Sequence, residues 1–192
     1  MKKIFLDVGC HFGETLDEVI KPEYNFDRIY AFEPSIDNYT LLQKYNSDIV
    51  SIHNIGLSNI SSVVNLYDAG SGGASIYSDK CDLDNPNKIE KITLIEASKW
   101  ITENIDLNDK IYLKLNCEGS ECDIIENLLC NNIYDSMNHI MVDFDVRKIP
   151  SQRYRQYEIL DKLKDKRNFS ICENVMIGNT HQEKIRNWLS KC

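Results

Sequence analysis

Short apolar runs alternate along this chain with segments whose apolar residues recur every three or four positions, the periods of strand and helix respectively. Lys3–Val8 predicts a strand, and Glu14–Ile20 a short helix that Pro22 stops. Arg28–Phe32 predicts a second strand. Ser35 stands where a hydroxyl can cap a helix running to about Tyr45, and Asp48–His53 predicts a third strand. The alternation is then interrupted. Val63–Tyr67 and Ile89–Ile95 read as strands flanking the polar, glycine-rich stretch Asp68–Ser75, which is the pattern of a small β insertion. Gly70–Gly73 reads either as a mobile flap or as a plain surface loop.

Beyond the insertion the pattern resumes, with a helix over Ala97–Glu103, a strand at Lys110–Asn116 and a helix over Glu121–Cys130 that the serine-acid spacing of Ser120 and Asp123 should cap. Ile140–Phe144 predicts a buried strand, Arg153–Lys166 a helix, Phe169–Ile177 one or two strands and Gln182–Ser190 a final helix. Strands separated by helices need crossovers, so the expected fold is α/β, a mainly parallel sheet with helices on both faces. The 192 residues make one domain's worth of chain, so residues 1–192 are expected to form a single domain.

Composition narrows the functional classes. Asp7 ends the first apolar run too early for a secretory signal, and no window is long enough to span a membrane. The seven cysteines are scattered and include no C-x-x-C pair, which reads as free thiols in a reducing compartment, by default the cytoplasm. A net charge of −8 argues against general affinity for nucleic acid or anionic lipid. The charge is uneven, however: residues 146–192 carry 11 Lys/Arg against 5 Asp/Glu, while the rest carries 11 against 25. Arg147, Lys148, Arg153 and Arg155, interleaved with Tyr154 and Tyr157, read as a solvated basic face or as a contact for an anionic partner.

In open sheets of this kind ligands bind at the carboxyl ends of the strands. The first strand runs into Gly9-Cys10-His11-Phe12-Gly13, a turn in which glycine allows tight backbone and helix amides offer donors. Glu33 follows a second strand about 20 residues on, where a carboxylate can accept both hydroxyls of a ribose. A dinucleotide site needs a middle glycine under the pyrophosphate, and Cys10-His11-Phe12 supplies none. An adenosine ligand without a pyrophosphate fits better.

Five blocks in order, Asp7–Gly13, Ala31–Pro34, Asn54–Ser58, Ser71–Ser75 and Leu113–Glu121, resemble the motifs of the FkbM family of S-adenosylmethionine-dependent methyltransferases. The resemblance runs to about residue 145. It implies a Rossmann-like class I methyltransferase fold, a seven-stranded sheet with its last strand antiparallel, and O-methylation of a sugar, glycan or related small molecule. It also implies that Asp7, Gly9, Cys10, His11, Phe12 and Gly13 hold the methionine end of S-adenosyl-L-methionine, which leaves as S-adenosyl-L-homocysteine. Glu33, beside Pro34, would hold the ribose. Gly56, Leu57 and Ser58 would lie near the adenine, and Asn116–Glu121 would face the transferred methyl.

Two positions depart from the family pattern: His11 stands where the family usually has asparagine, and Asn116 where it usually has aspartate. An amide cannot take a proton from a hydroxyl. The proton acceptor therefore falls to Glu118 first, then to His11 or Asp143, with Asn116 facing the methyl. No metal site is expected, because the histidines lack ligand spacing, although Glu118, Glu121, Asp143 and Asp145 leave metal dependence open. The alternatives are a donor-binding module without turnover and a nucleic-acid methyltransferase. The first strand begins almost at Met1, so the acceptor side is expected to be closed by the Gly70–Gly73 loop or by a second copy of the chain.

Overall fold

In the computed structural model, which describes residues 1–192, six strands line up in one sheet in the order β3-β2-β1-β7-β8-β9, with every neighbouring pair parallel. They are β1 (Lys3–Val8), β2 (Arg28–Phe32), β3 (Val50–His53), β7 (Lys110–Leu115), β8 (Met137–Val142) and β9 (Phe169–Ile171). A second sheet of three strands, ordered β4-β6-β5, is built from β4 (Gly56–Ser58), β5 (Ser62–Tyr67) and β6 (Ile89–Glu96). It is the expected insertion, enlarged by β4.

The pleat sorts the central strands onto two cores. Ile4, Leu6 and Val8 of β1, with Ile111, Leu113 and Leu115 of β7, face α3 (Ala97–Asn104), α4 (Glu121–Cys130) and α5 (Arg155–Leu163), where Trp100, Ile125 and Ile159 are buried. Phe5 and Tyr112 point the other way, onto α1 (Leu16–Val19) and α7 (His181–Leu189) through Leu16, Ile185 and Trp188. The helix α2 (Ile36–Leu42) adds Leu42 to this second core. Both tryptophans are thus core residues. No helix is long and apolar enough to cross a membrane.

Three sequence expectations need correction. The sheet has six strands rather than seven and no antiparallel last strand. After β9 the chain enters α6 (Cys172–Val175) and then α7, whose start is fixed by a capping box. There Thr180 Oγ1 accepts from Glu183 N while the Glu183 carboxylate accepts from Thr180 N. That local signal, with Ile185 and Trp188 three apart on one face, commits the segment to helix. Ser35 does not cap α2, because its hydroxyl donates to Glu90 Oε2 of β6 at 3.1 Å. Ser120 likewise makes no cap bond to α4.

Candidate active site

The carboxyl ends of β1, β2 and β7 open into a cavity of about 610 Å³, its mouth included, and the three-stranded sheet forms the opposite wall. Val8, Gly9, His11, Glu33, Pro34, Asn116 and Glu118 line it from the central sheet and its loops. Gly56, Leu57, Leu66, Ala74, Ile76, Ile92 and Leu94 line it from the three-stranded sheet and its loop. One apolar wall facing a polar floor suits a ligand that is part ring and part polar chain.

Glu33 sits at the tip of β2, buried, with Oε2 accepting from His11 N and Oε1 from Ser35 N, both at 3.0 Å. Burial pushes its pKa from the ordinary 4.5 up to about 7, against the pull of those two backbone donors. Asn54 Nδ2 donates to Glu33 O and Pro34 O and so fixes the corner that aims the carboxylate.

Gly9 has φ +77°, and a side chain there would place its first carbon 1.8 Å from Asn116 O. A glycine is therefore demanded by the backbone that follows β7, and Gly9 also lines the cavity. Gly13 turns at φ +91° against Tyr45 and does not line the cavity. Phe12 is exposed and packs against His11, with ring centroids 3.7 Å apart and planes tilted by 37°. Ser58 is buried beside Asn59 and lies off the cavity wall.

Asp7 is also off the wall. It faces Lys114 directly across the β1–β7 ladder, and Lys114 Nζ donates to Asp7 Oδ1 at 2.7 Å and to Gly9 O at 3.2 Å. The pair is buried, with side chains 0% and 3% exposed. Asp7 thus supports the turn from beneath. Lys114, which lines the neighbouring chamber, is a buried residue the sequence reading did not place at the site, and a cation inside the apolar run Lys110–Leu115 was the signal for it.

Beside the first cavity lies a polar chamber lined by Cys10, Glu14, Thr15, Lys114 and His181, and the two share Gly9, His11, Gly72, Asn116 and Glu118. At that junction His11 Nε2 and Asn116 Oδ1 are buried without a hydrogen-bond partner in the protein, while Glu118 Oε2 faces the Lys80 ammonium. Buried polar atoms are almost always paired, so two orphans in one place mark where a polar ligand belongs. Asp143 lies apart, in a further cavity with Met141, Cys172 and His181. It reaches the others only through Asn116, Lys114 and His181.

Burial and the neighbouring Asp145 push Glu118 up to about 7, and burial raises Glu121 to about 8. Glu121 Oε1 accepts from Cys117 N and Gly119 N, so its role is to hold the loop after β7. Lys80, in the insertion and fully buried, lies 3.0 Å from Glu118 Oε2 and 2.7 Å from Asp82 Oδ1, and donates to Gly73 O. This ammonium fastens the Gly70–Gly73 loop over the junction. No local sequence feature announced it. Replacing Lys80 with methionine is expected to speed amide exchange over residues 70–82 roughly tenfold while leaving the central sheet unchanged. Exchange mass spectrometry reads both.

Other expectations resolve on the surface. All seven cysteines are unpaired, and burial raises Cys10 and Cys117 well above the ordinary thiol value. No group of three or more His, Cys, Asp or Glu side chains is arranged to hold a metal. Arg147 and Lys148 pair with Asp145, and Arg155 with Asp123 and Glu126, so most of the basic face is consumed by the acidic body.

No family model and no curated protein sequence matches the chain. Among solved structures the chain is similar to methyltransferase FkbM from Methylobacillus flagellatus KT, with a TM-score of 0.53 and 18% identity over 85% of this chain. The chain spans 38% of that protein's length. The likeness establishes the fold: a methyltransferase-like, Rossmann-type α/β sheet. That neighbour carries the name of the family to which the five ordered motifs pointed.

Proposed function

We propose that the protein is an S-adenosylmethionine-dependent O-methyltransferase whose acceptor is a hydroxyl of a sugar, glycan or related small molecule. The observation that carries this reading is the meeting of a Glu33-lined cavity with a polar chamber at two orphaned polar atoms, His11 Nε2 and Asn116 Oδ1. Glu33 would hold the ribose of the donor, Gly56, Leu57, Ile92 and Leu94 would flank its adenine, and His11, Asn116 and Glu118 would face its methionine end. The bound donor supplies a methyl group already activated on a sulfonium. The protein's share of the work is then to align an acceptor oxygen, exclude water and accept a proton.

The apolar wall from the insertion excludes water from the donor side, and the Lys80 latch keeps the Gly72 backbone over the junction. The unpaired thiols support a reducing compartment, the cytoplasm being the default. A second reading, a donor-binding module without turnover, is favoured by Asn116, whose amide takes no proton.

Calorimetry with S-adenosylmethionine and S-adenosylhomocysteine, followed by methyl-labelled donor against a panel of monosaccharides, phenyl glycosides and catechols, tests both. Binding with label transfer supports the enzyme. Binding with no transfer to any hydroxyl compound favours the module, and a folded protein that binds neither compound sinks both readings.

A further inference from the structure

We propose that His11 is the proton acceptor for the transfer, oriented by Glu14, and that the polar chamber beside the donor cavity receives the acceptor hydroxyl. The inference rests on the methyltransferase reading above and assigns the role that Asn116 leaves open.

The geometry at His11 is that of a carboxylate–imidazole dyad. Its Nδ1 lies 3.2 Å from Glu14 Oε1, while Nε2 is buried at the junction of the two cavities with no partner. Glu14 has no other hydrogen-bonding side chain at that oxygen, and a carboxylate can only accept, so Nδ1 carries the proton and Nε2 keeps its lone pair. A ring held this way accepts a proton at Nε2 and has the resulting imidazolium stabilised by the carboxylate behind it. The ring is also clamped. Phe12 packs against one side at a tilt, Gly72 approaches the ring closely enough that a side chain added there would touch it at 3.5 Å, and His11 N is tied to Glu33.

His11 adopts φ +48°, a left-handed conformation that most non-glycine residues avoid. Such a conformation persists only where its surroundings hold it, and it turns this side chain toward the junction rather than into the core.

The rival groups are less well placed. Asn116 cannot take a proton. Asp143 lines a cavity that does not include the donor wall. Glu118 stands 3.0 Å from the buried Lys80 ammonium and is needed to latch the insertion. His11, by contrast, lines both cavities and reaches them with an unused lone pair.

The chamber also defines what it can take. Of its ten lining residues only one is hydrophobic, and Glu14, Thr15, Lys114, Asn116 and His181 offer both donors and acceptors. A hydroxyl-rich small molecule matches such a wall, and a flat apolar one does not. In the step itself the acceptor oxygen bonds to the methyl carbon as its proton passes to His11 Nε2. The electron pair of the broken carbon–sulfur bond stays on sulfur as a neutral thioether, and the imidazolium then returns its proton to water.

The test is long-range proton–nitrogen NMR on protein labelled with ¹⁵N-histidine, with His11→Asn assigning the resonances and S-adenosylhomocysteine as the added probe. Asparagine tolerates the left-handed backbone, so this variant keeps the turn. Native His11 is expected as the Nδ1–H tautomer, its Nε2 resonance is expected to move on adding the probe, and Glu14→Gln is expected to raise the Nε2–H fraction. At saturating donor, His11→Asn is expected to lower label transfer to the hydroxyl panel by about 100-fold or more.

An Nε2–H tautomer in the native protein, a resonance that ignores the bound probe, or transfer by His11→Asn equal to native at saturating donor would each overturn the assignment. Native protein that gives no calorimetric heat with S-adenosylhomocysteine instead overturns the donor reading itself, so the two failures are distinguishable.

Discussion

Asp7→Ala is expected to lower stability by about 3–5 kcal/mol, which corresponds to a fall of roughly 6–20 °C in melting temperature. Asp7 and Lys114 are opposed in register on the two central strands, buried, and 2.7 Å apart. Burial alone would drive the proton off Lys114, but the Asp7 charge and hydrogen bond outweigh it and hold the pKa above 10.5. Deleting the carboxylate leaves an ammonium in the middle of the sheet with only the Gly9 carbonyl to face. The double variant Asp7→Leu, Lys114→Met removes both charges and is expected to recover most of the loss. Because the folded chain holds the Lys114 proton more tightly, that contribution is complete below pH 10.5 and disappears as pH rises through the folded value. Urea unfolding of the two variants checks the prediction. Equal stability of Asp7→Ala and native protein would mean that water reaches the pair.

Glu33→Gln is expected to weaken S-adenosylhomocysteine binding by about 100-fold, near 3 kcal/mol, because an anionic acceptor for two hydroxyls becomes a neutral amide. The same residue sets a pH dependence. Its folded pKa, near 7, is above the ordinary 4.5, so the folded chain binds this proton more tightly than the unfolded one. Its contribution to stability is therefore full below about pH 4.5 and is lost as pH rises through about 7. Ribose hydroxyls favour the carboxylate, so binding expels the proton and affinity is expected to climb between pH 6 and 8. Calorimetry in two buffers of different ionisation enthalpy measures the released proton. A proton count of zero, or a pH dependence that survives in Glu33→Gln, would remove Glu33 from the site.

Much of the frame was legible in the chain itself. The strands β1, β2 and β7 are apolar runs bounded by glycine or acid, and the ladder keeps them adjacent. Glu33 follows from its position after such a run. What failed were local readings that a distant partner overrides: Ser35 turns to Glu90, fifty-five residues on, instead of to its own helix. The expected seventh strand came from the resemblance rather than from the residues, and Thr180 with Glu183 at the start of α7 already spoke against it. Lys80 was invisible because its partners, Gly73, Asp82 and Glu118, meet only once the insertion folds back. The basic C-terminal quarter left two readings open for a similar reason, since a tally of charge does not reveal that Arg155 already sits between Asp123 and Glu126.

The contact of Gly9 with the Asn116 carbonyl leaves the tips of β1 and β7 no slack, because even a methyl group fails to fit between them. Homologous chains built on this seam would inherit the floor of the cavity unchanged. Diversification of what they modify must then come from the edges of the chamber, from the inserted sheet and from α7, where substitutions can accumulate without disturbing the floor.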